Sequence, residues 1–128
     1  MPIKHDIDLR NNMLLVRRWG HITTHDEGLA CEERANDDRI SPGMPVLVDC
    51  REVEPADSTE TVKYLADCVT SLASDLACGP VAIVVSSDVE YGMARMYMAY
   101  TELSHPNTEV FRDIESAREW LQHEKKNQ

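Results

Sequence analysis

One hundred and twenty-eight residues make one ordinary domain, long enough to bury roughly two thirds of the unfolded chain's surface around one core without metal or disulfide support. A formal net charge of −10 opposes a polyanion, because phosphate neutralisation needs clustered Lys and Arg that this sequence lacks, and so argues against nucleic-acid binding. No apolar run reaches the ~20 residues of a membrane helix, and the opening MPIKHDID lacks the basic and apolar regions of a signal peptide, so the expectation is a cytoplasmic chain with no integral membrane segment.

Two short β-prone runs open the chain, Ile3 to Leu9 and Met13 to Trp19. Between them Arg10-Asn11-Asn12 supplies asparagines, which tolerate the left-handed backbone of tight turns, and this predicts a β-hairpin. After Gly20, Thr24 with Glu27 at the spacing of a capping box opens a helix. Its apolar face is thin: Leu29, Ala30 and Ile40 stand against Glu32, Glu33, Asp37 and Asp38, which reads as a surface helix ending near Asn36. The run Ser41-Pro42-Gly43-Met44-Pro45 is a loop by composition. Val46 to Cys50 is the next strand. Arg51 to Asp57 then leads to Ser58, the expected N-cap of the longest helix, where Val62, Leu65, Ala66, Val69, Leu72, Ala73 and Leu76 keep one face apolar until Gly79 and Pro80.

Val81 to Val85 is continuously apolar and mostly β-branched, the pattern of a central strand buried on both faces. Ser86-Ser87-Asp88 offers N-caps for a helix in which Val89, Met93, Met96, Tyr100 and Leu103 recur at helical spacing and form the expected core stripe. His105-Pro106-Asn107 breaks that helix, and Glu109 to Arg112 makes a short last strand. Asp113 caps a closing helix whose Ile114, Ala117, Trp120 and Leu121 face inward and whose Lys125-Lys126 suits the C-terminal dipole. The order is β-β-α-β-α-β-α-β-α, one α/β domain over residues 1–128 with no internal repeat, low-complexity tract or linker.

Three stretches, LVDCREV at 47–53, SDVEYGMARMYMAY at 87–100 and VFRDIESAREWL at 110–121, together with the hairpin, resemble the SpoIIAA-like fold. That fold is shared by STAS anti-sigma-factor antagonists and, more distantly, by CRAL-TRIO lipid-transfer domains, and the detailed match is similar to bacterial SpoIIAA-like proteins of unassigned function. The resemblance implies a mixed, mostly parallel sheet with an N-terminal hairpin. It also implies work by protein–protein contact or, through the distant relatives, carriage of a lipid. In STAS antagonists a serine opening the helix after the third strand is phosphorylated within a pattern like Asp-Ser-Ser-Gly. The corresponding residues are Asp57-Ser58-Thr59-Glu60, with an acid in place of the glycine.

With parallel strands, the loops at their carboxyl ends share one sheet edge, where α/β folds place ligands. Gly20-His21, Asp49 with Arg51, Asp57-Ser58, Ser86-Ser87-Asp88 and Asp113 are expected there. Ser58 reads either as a helix cap or as a phosphorylation site whose anion the helix N-terminus would favour. Asp49 reads as an ion-pair partner of Arg51 or Arg95 rather than a general base. His21 and His25 are spaced for a metal pair on a helix, yet the helix begins between them; His5, His105 and His123 read as exposed. Cys31, Cys50, Cys68 and Cys78 form no CxxC pair and read as small buried hydrophobes. Tyr91, Met93, Met96, Tyr97 and Met98 exceed what one helix face can bury, so they are candidates for an interface or an apolar ligand. Gly92 within that helix suggests close approach by another backbone. The leading expectation is a non-enzymatic interaction module, a homodimer with a further protein partner and a switch at Ser58. The alternative is a carrier of a small apolar ligand or lipid, which requires a cavity between the Met/Tyr helix and the sheet. No metal or cofactor is expected.

Overall fold

The computed structural model describes residues 2–55, 59–73, 79–103 and 105–126. Its elements are β1 (Ile3–Asp8), β2 (Met13–Gly20), α1 (Thr24–Ala35), β3 (Val46–Val53), α2 (Thr59–Ala73), β4 (Val81–Val84), α3 (Asp88–Thr101), β5 (Thr108–Phe111) and α4 (Ile114–Lys126). The strands form one sheet in the order β1-β2-β3-β4-β5. β1 is antiparallel to β2, and every later pairing is parallel, giving the mixed sheet with an N-terminal hairpin that the sequence implies. β4 is flanked on both sides, but the middle strand is β3.

Local chemistry accounts for the turns. Asn12 takes the left-handed conformation in the hairpin, at φ 51°, and Asn11 donates to the Asp8 carboxylate through its backbone N–H at 3.1 Å and its amide at 2.8 Å. The box opening α1 is one residue earlier than the sequence suggests: Thr23 Oγ1 accepts from Asp26 N at 3.1 Å, and Asp26 accepts from Thr23 N at 3.0 Å. Asp26 therefore does the capping, and Glu27 is free to turn inward, where it is 2 % exposed. α1 is thus not simply a surface helix.

Helices cover both faces of the sheet. α4 packs Ala117, Leu121, Ile114 and Trp120 over Met13, Leu47, Ala82 and Val84, with the Phe111 and Trp120 rings 5.7 Å apart. The opposite face carries α1, against Ile3, Leu14 and Val16, and α3, against Val81, Ile83 and Val85. Alternate residues of β4 thus meet different helices, which is why its sequence shows no polar alternation.

Two expectations about α3 are corrected. Tyr91, Ala94 and Tyr97 pack with the strand residues, whereas Val89 is 56 % and Tyr100 47 % exposed and Leu103 is fully exposed. The helix carries two apolar stripes, and the one containing small Ala94 packs against Val81, Ile83 and Val85 with Tyr91 and Tyr97 beside it. Of the other stripe, Val89, Tyr100 and Leu103 face outward, while Met93 and Met96 are half-buried. Gly92 meets nothing within 4 Å in this chain, so no neighbouring backbone explains it. The close approach lies instead at Gly79, where an added Cβ would stand 2.3 Å from Gly43 O and 2.6 Å from Met44 O. His5 is corrected as well: its Nε2 lies 2.7 Å from Asp37 and the side chain is largely buried.

These environments give opposite signs to one substitution. Gly79→Ala is expected to destabilise by about 1–3 kcal/mol, because backbone carbonyls cannot yield as a side chain would. Gly92→Ala, in open space within a helix, is expected to stabilise by roughly 0.5–1 kcal/mol. Denaturant melts of the two variants beside the parent check both signs.

Candidate functional site

The carboxyl ends of β2 to β5 share one edge, as parallel register requires. There Glu54 N donates to Gly20 O at 3.0 Å, Ser86 Oγ donates to Arg51 O at 2.7 Å, and Arg112 pairs with Asp88 while lying over the Tyr91 ring. His21 stands 4.0 Å from Glu54. Ser87 caps α3, accepting from Glu90 N at 3.2 Å, and Asp113 caps α4, accepting from Ser116 N at 2.8 Å. Asp57 and Ser58 lie outside the described residues.

Asp49 does not join this group. It shares its face of β3 with Leu47, toward α4, and both its carboxylate oxygens engage Arg51, at 2.9 and 2.8 Å. Those hydrogen bonds hold its carboxyl below the usual carboxylate range; Arg95 is not its partner. β3 bulges beyond it, since Arg17 pairs with Asp49 but Trp19 pairs with Glu52, and Arg17 reaches Glu52 at 3.2 Å. Among the described residues, Asp49 and Ser87 share no hydrogen bond, and no three His, Cys, Asp or Glu side chains are placed to hold a metal ion.

A second feature lies over the other face of the sheet. α2 packs between α1 and α3 rather than down onto the strands. The space beneath it is a cavity of about 260 Å³, lined by Leu14 and Val16 of β2, Val46, Val48 and Cys50 of β3, Ile83 of β4, Leu65 and Val69 of α2, and Met93 and Tyr97 of α3. Burial along β3 registers this opening. The middle strand of a sheet covered on both faces should be its most buried, yet Val46, Val48 and Cys50 remain half-buried while Leu47, facing α4, is fully buried. Met96 and Met98 are half-buried outside the cavity wall.

One polar structure stands in that wall. Arg18 of β2 donates to both oxygens of Glu27 on α1, at 2.7 and 2.8 Å, with the two side chains only 11 % and 3 % exposed. Burial alone would lower the Arg18 pKa, but the hydrogen bonds and charge of Glu27 hold it above its ordinary value. Burial pushes the nearby Cys50 and Cys31 thiols up to about 11, so both are protonated at neutral pH. Sequence reasoning passed over Arg18, Glu27 and Arg34, which line the cavity. Their only signal was a carboxylate one turn inside a capping box, on the same face as Ala30 and Cys31.

A family model described as a domain of unknown function (DUF7793) matches residues 40–125. No curated protein matches. Among solved structures, an uncharacterised protein of the DUF3478 family with a SpoIIAA-like fold, from Shewanella loihica PV-4, is similar over 93 % of this chain and 91 % of its own, at 20 % identity and a TM-score of 0.60. That likeness shows a SpoIIAA-like fold. No helix among the described residues is long and apolar enough to cross a membrane.

Because Arg18 and Glu27 are buried together, removing one should cost far more than removing both. Glu27→Ala is expected to destabilise by about 3–5 kcal/mol, while the double variant Arg18→Met, Glu27→Leu should fall within a kcal/mol or so of the parent. A double-mutant cycle in urea measures the difference.

Proposed function

The chain belongs to the DUF7793 family, a domain of unknown function, and on that premise we propose that it is a non-enzymatic binding domain whose ligand is a small apolar molecule held between the sheet and α1, α2 and α3. The observation that carries this reading is the cavity of about 260 Å³ beneath α2. A core of this size would ordinarily be closed by packing, since voids larger than a water are few and each lowers stability. A cavity of ~150 Å³ accepts benzene, so this one suits a molecule on the order of ten heavy atoms. The commitment of Asp49 to Arg51 and of Ser87 to the α3 cap leaves no acid, base and nucleophile in mutual reach among these residues, which supports binding rather than catalysis.

A second reading rests on a separate observation. Val89, Tyr100 and Leu103 form an exposed apolar line on the outward face of α3 and its C-terminal turn, with half-buried Met96 between them. Such a stripe supports contact with a second protein surface, and self-association is the form proposed here.

Filling the cavity separates the first reading from ordinary packing. Val48→Phe projects into it and is expected to cost less than about 1 kcal/mol, whereas Ala82→Leu, into the closed core under α4, should cost about 1–3 kcal/mol. In methyl NMR titrations, 1-octanol should shift Val48, Leu65, Val69 and Ile83 of the parent and leave Val48→Phe unmoved. Equal destabilisation by the two substitutions, with no octanol response, would count against a ligand site. For the second reading, sedimentation equilibrium should show a mass above the 14.5 kDa monomer, returned to it by Tyr100→Asp with Leu103→Asp. A monomer at every concentration removes self-association through α3.

A further inference from the structure

The cavity has a polar wall whose charge does not balance. Arg18 and Glu27 satisfy one another through two hydrogen bonds. Arg34 follows Cys31 and Glu27 along the same face of α1 and also lines the cavity. Its guanidinium donates to Cys31 Sγ at 3.4 Å, and among the described residues it has no carboxylate within ion-pair distance. A thiol sulfur is a weak acceptor, so most of its donor capacity is unused. Two guanidiniums against one carboxylate leave one positive charge at this wall. Glu54 and Glu90 also line the cavity, but at the carboxyl-edge end, where Glu54 lies by His21 and Glu90 accepts from Ser86 N at 3.2 Å. His105 lines it near the opposite end.

Tyr97 completes the arrangement from α3. It lines the same cavity as Arg34, Arg18 and Glu27, and the charges of those three residues act on its hydroxyl. No described residue hydrogen-bonds that hydroxyl. Among the described residues no fully enclosed side-chain nitrogen or oxygen lacks a partner, so the Tyr97 hydroxyl is open to whatever occupies the cavity. A guanidinium and a phenol, both with donors to spare and surrounded by Val46, Val48, Leu65 and Val69, match an anionic head on an apolar body. A planar carboxylate suits the guanidinium fork.

Building on the reading of the cavity as a ligand site, we infer that the ligand is a small amphiphilic monocarboxylate, its carboxylate between Arg34 and Tyr97 and its apolar body beneath α2. Octanoate and 1-octanol serve as probes, followed by methyl NMR and isothermal titration calorimetry. Octanoate should bind at least tenfold more tightly than 1-octanol, at the same methyl groups. Arg34→Gln and Tyr97→Phe should each weaken octanoate about tenfold and leave 1-octanol unchanged, while Arg34→Lys should keep most of the preference. Equal affinity for the two probes, or an octanoate affinity indifferent to Arg34→Gln and Tyr97→Phe, overturns the carboxylate inference and leaves the apolar site standing. Failure of both probes to shift any cavity methyl in the folded parent overturns the inference and the ligand reading together. Tyr97→Phe preserves ring packing, so the hydroxyl is tested even if changes at Arg34 disturb the fold.

Discussion

The interaction on which the upper layer depends is the buried pairing of Arg18 with Glu27. It ties the end of β2 to the first turn of α1 through two short hydrogen bonds shielded from water. Desolvating both groups costs several kcal/mol per ion, and the bidentate geometry offsets this only while both partners stay in place. The pair sets the rotation of α1 about its axis, which puts Ala30 against the strands, buries Cys31 and leaves Arg34 lining the cavity. It also places charge beside a space that is otherwise aliphatic.

From that placement follows the position of α2. With α1 over Leu14 and Val16 and α3 over Val81 and Ile83, α2 rests in the groove between two helices and is held away from the middle strand. Small residues mark the contact: Gly28 of α1 lies so close to the Tyr64 hydroxyl that an added Cβ would stand 3.1 Å from it. On the sheet's other face α4 brings Ala117 and Leu121 directly onto Leu47 of β3 and Ala82 and Val84 of β4. The two faces therefore divide the work. One is a closed core that holds the sheet, and the other is a three-helix cover over a space.

At the carboxyl edge, carboxylates, serines and basic groups do crowd together, as a parallel sheet dictates. Their bonds are structural in character: caps at Ser87 and Asp113, a cross-loop tie from Ser86 to Arg51, and surface pairs such as Arg112 with Asp88. Exposed pairs of this kind contribute little individually, and several together fix loop positions. They fix the loops at this edge without forming a reacting site.

The order of elements, the hairpin, the double burial of β4 and the caps at Ser87 and Asp113 were legible in the residues, because each rests on local chemistry: left-handed asparagine, side-chain oxygens that satisfy free N–H groups, and continuous β-branched runs. Which stripe of α3 turns inward was not legible. Val89, Met93, Met96, Tyr100 and Leu103 have the period of a core face, and only packing of Ala94 against β4 selects the other stripe. Arg18, Glu27 and Arg34 were invisible as a site because a charged residue on a thin helix reads as solvated until its partner, distant in sequence, is brought opposite it. The cavity likewise exists in no segment: β2, β3, α2 and α3 each show an ordinary apolar face, and the space arises from how three helices share one side of a sheet. By itself the sequence determined the elements and their order, which are local properties of the chain; rotation, spacing and the meeting of distant charges were decided by tertiary packing.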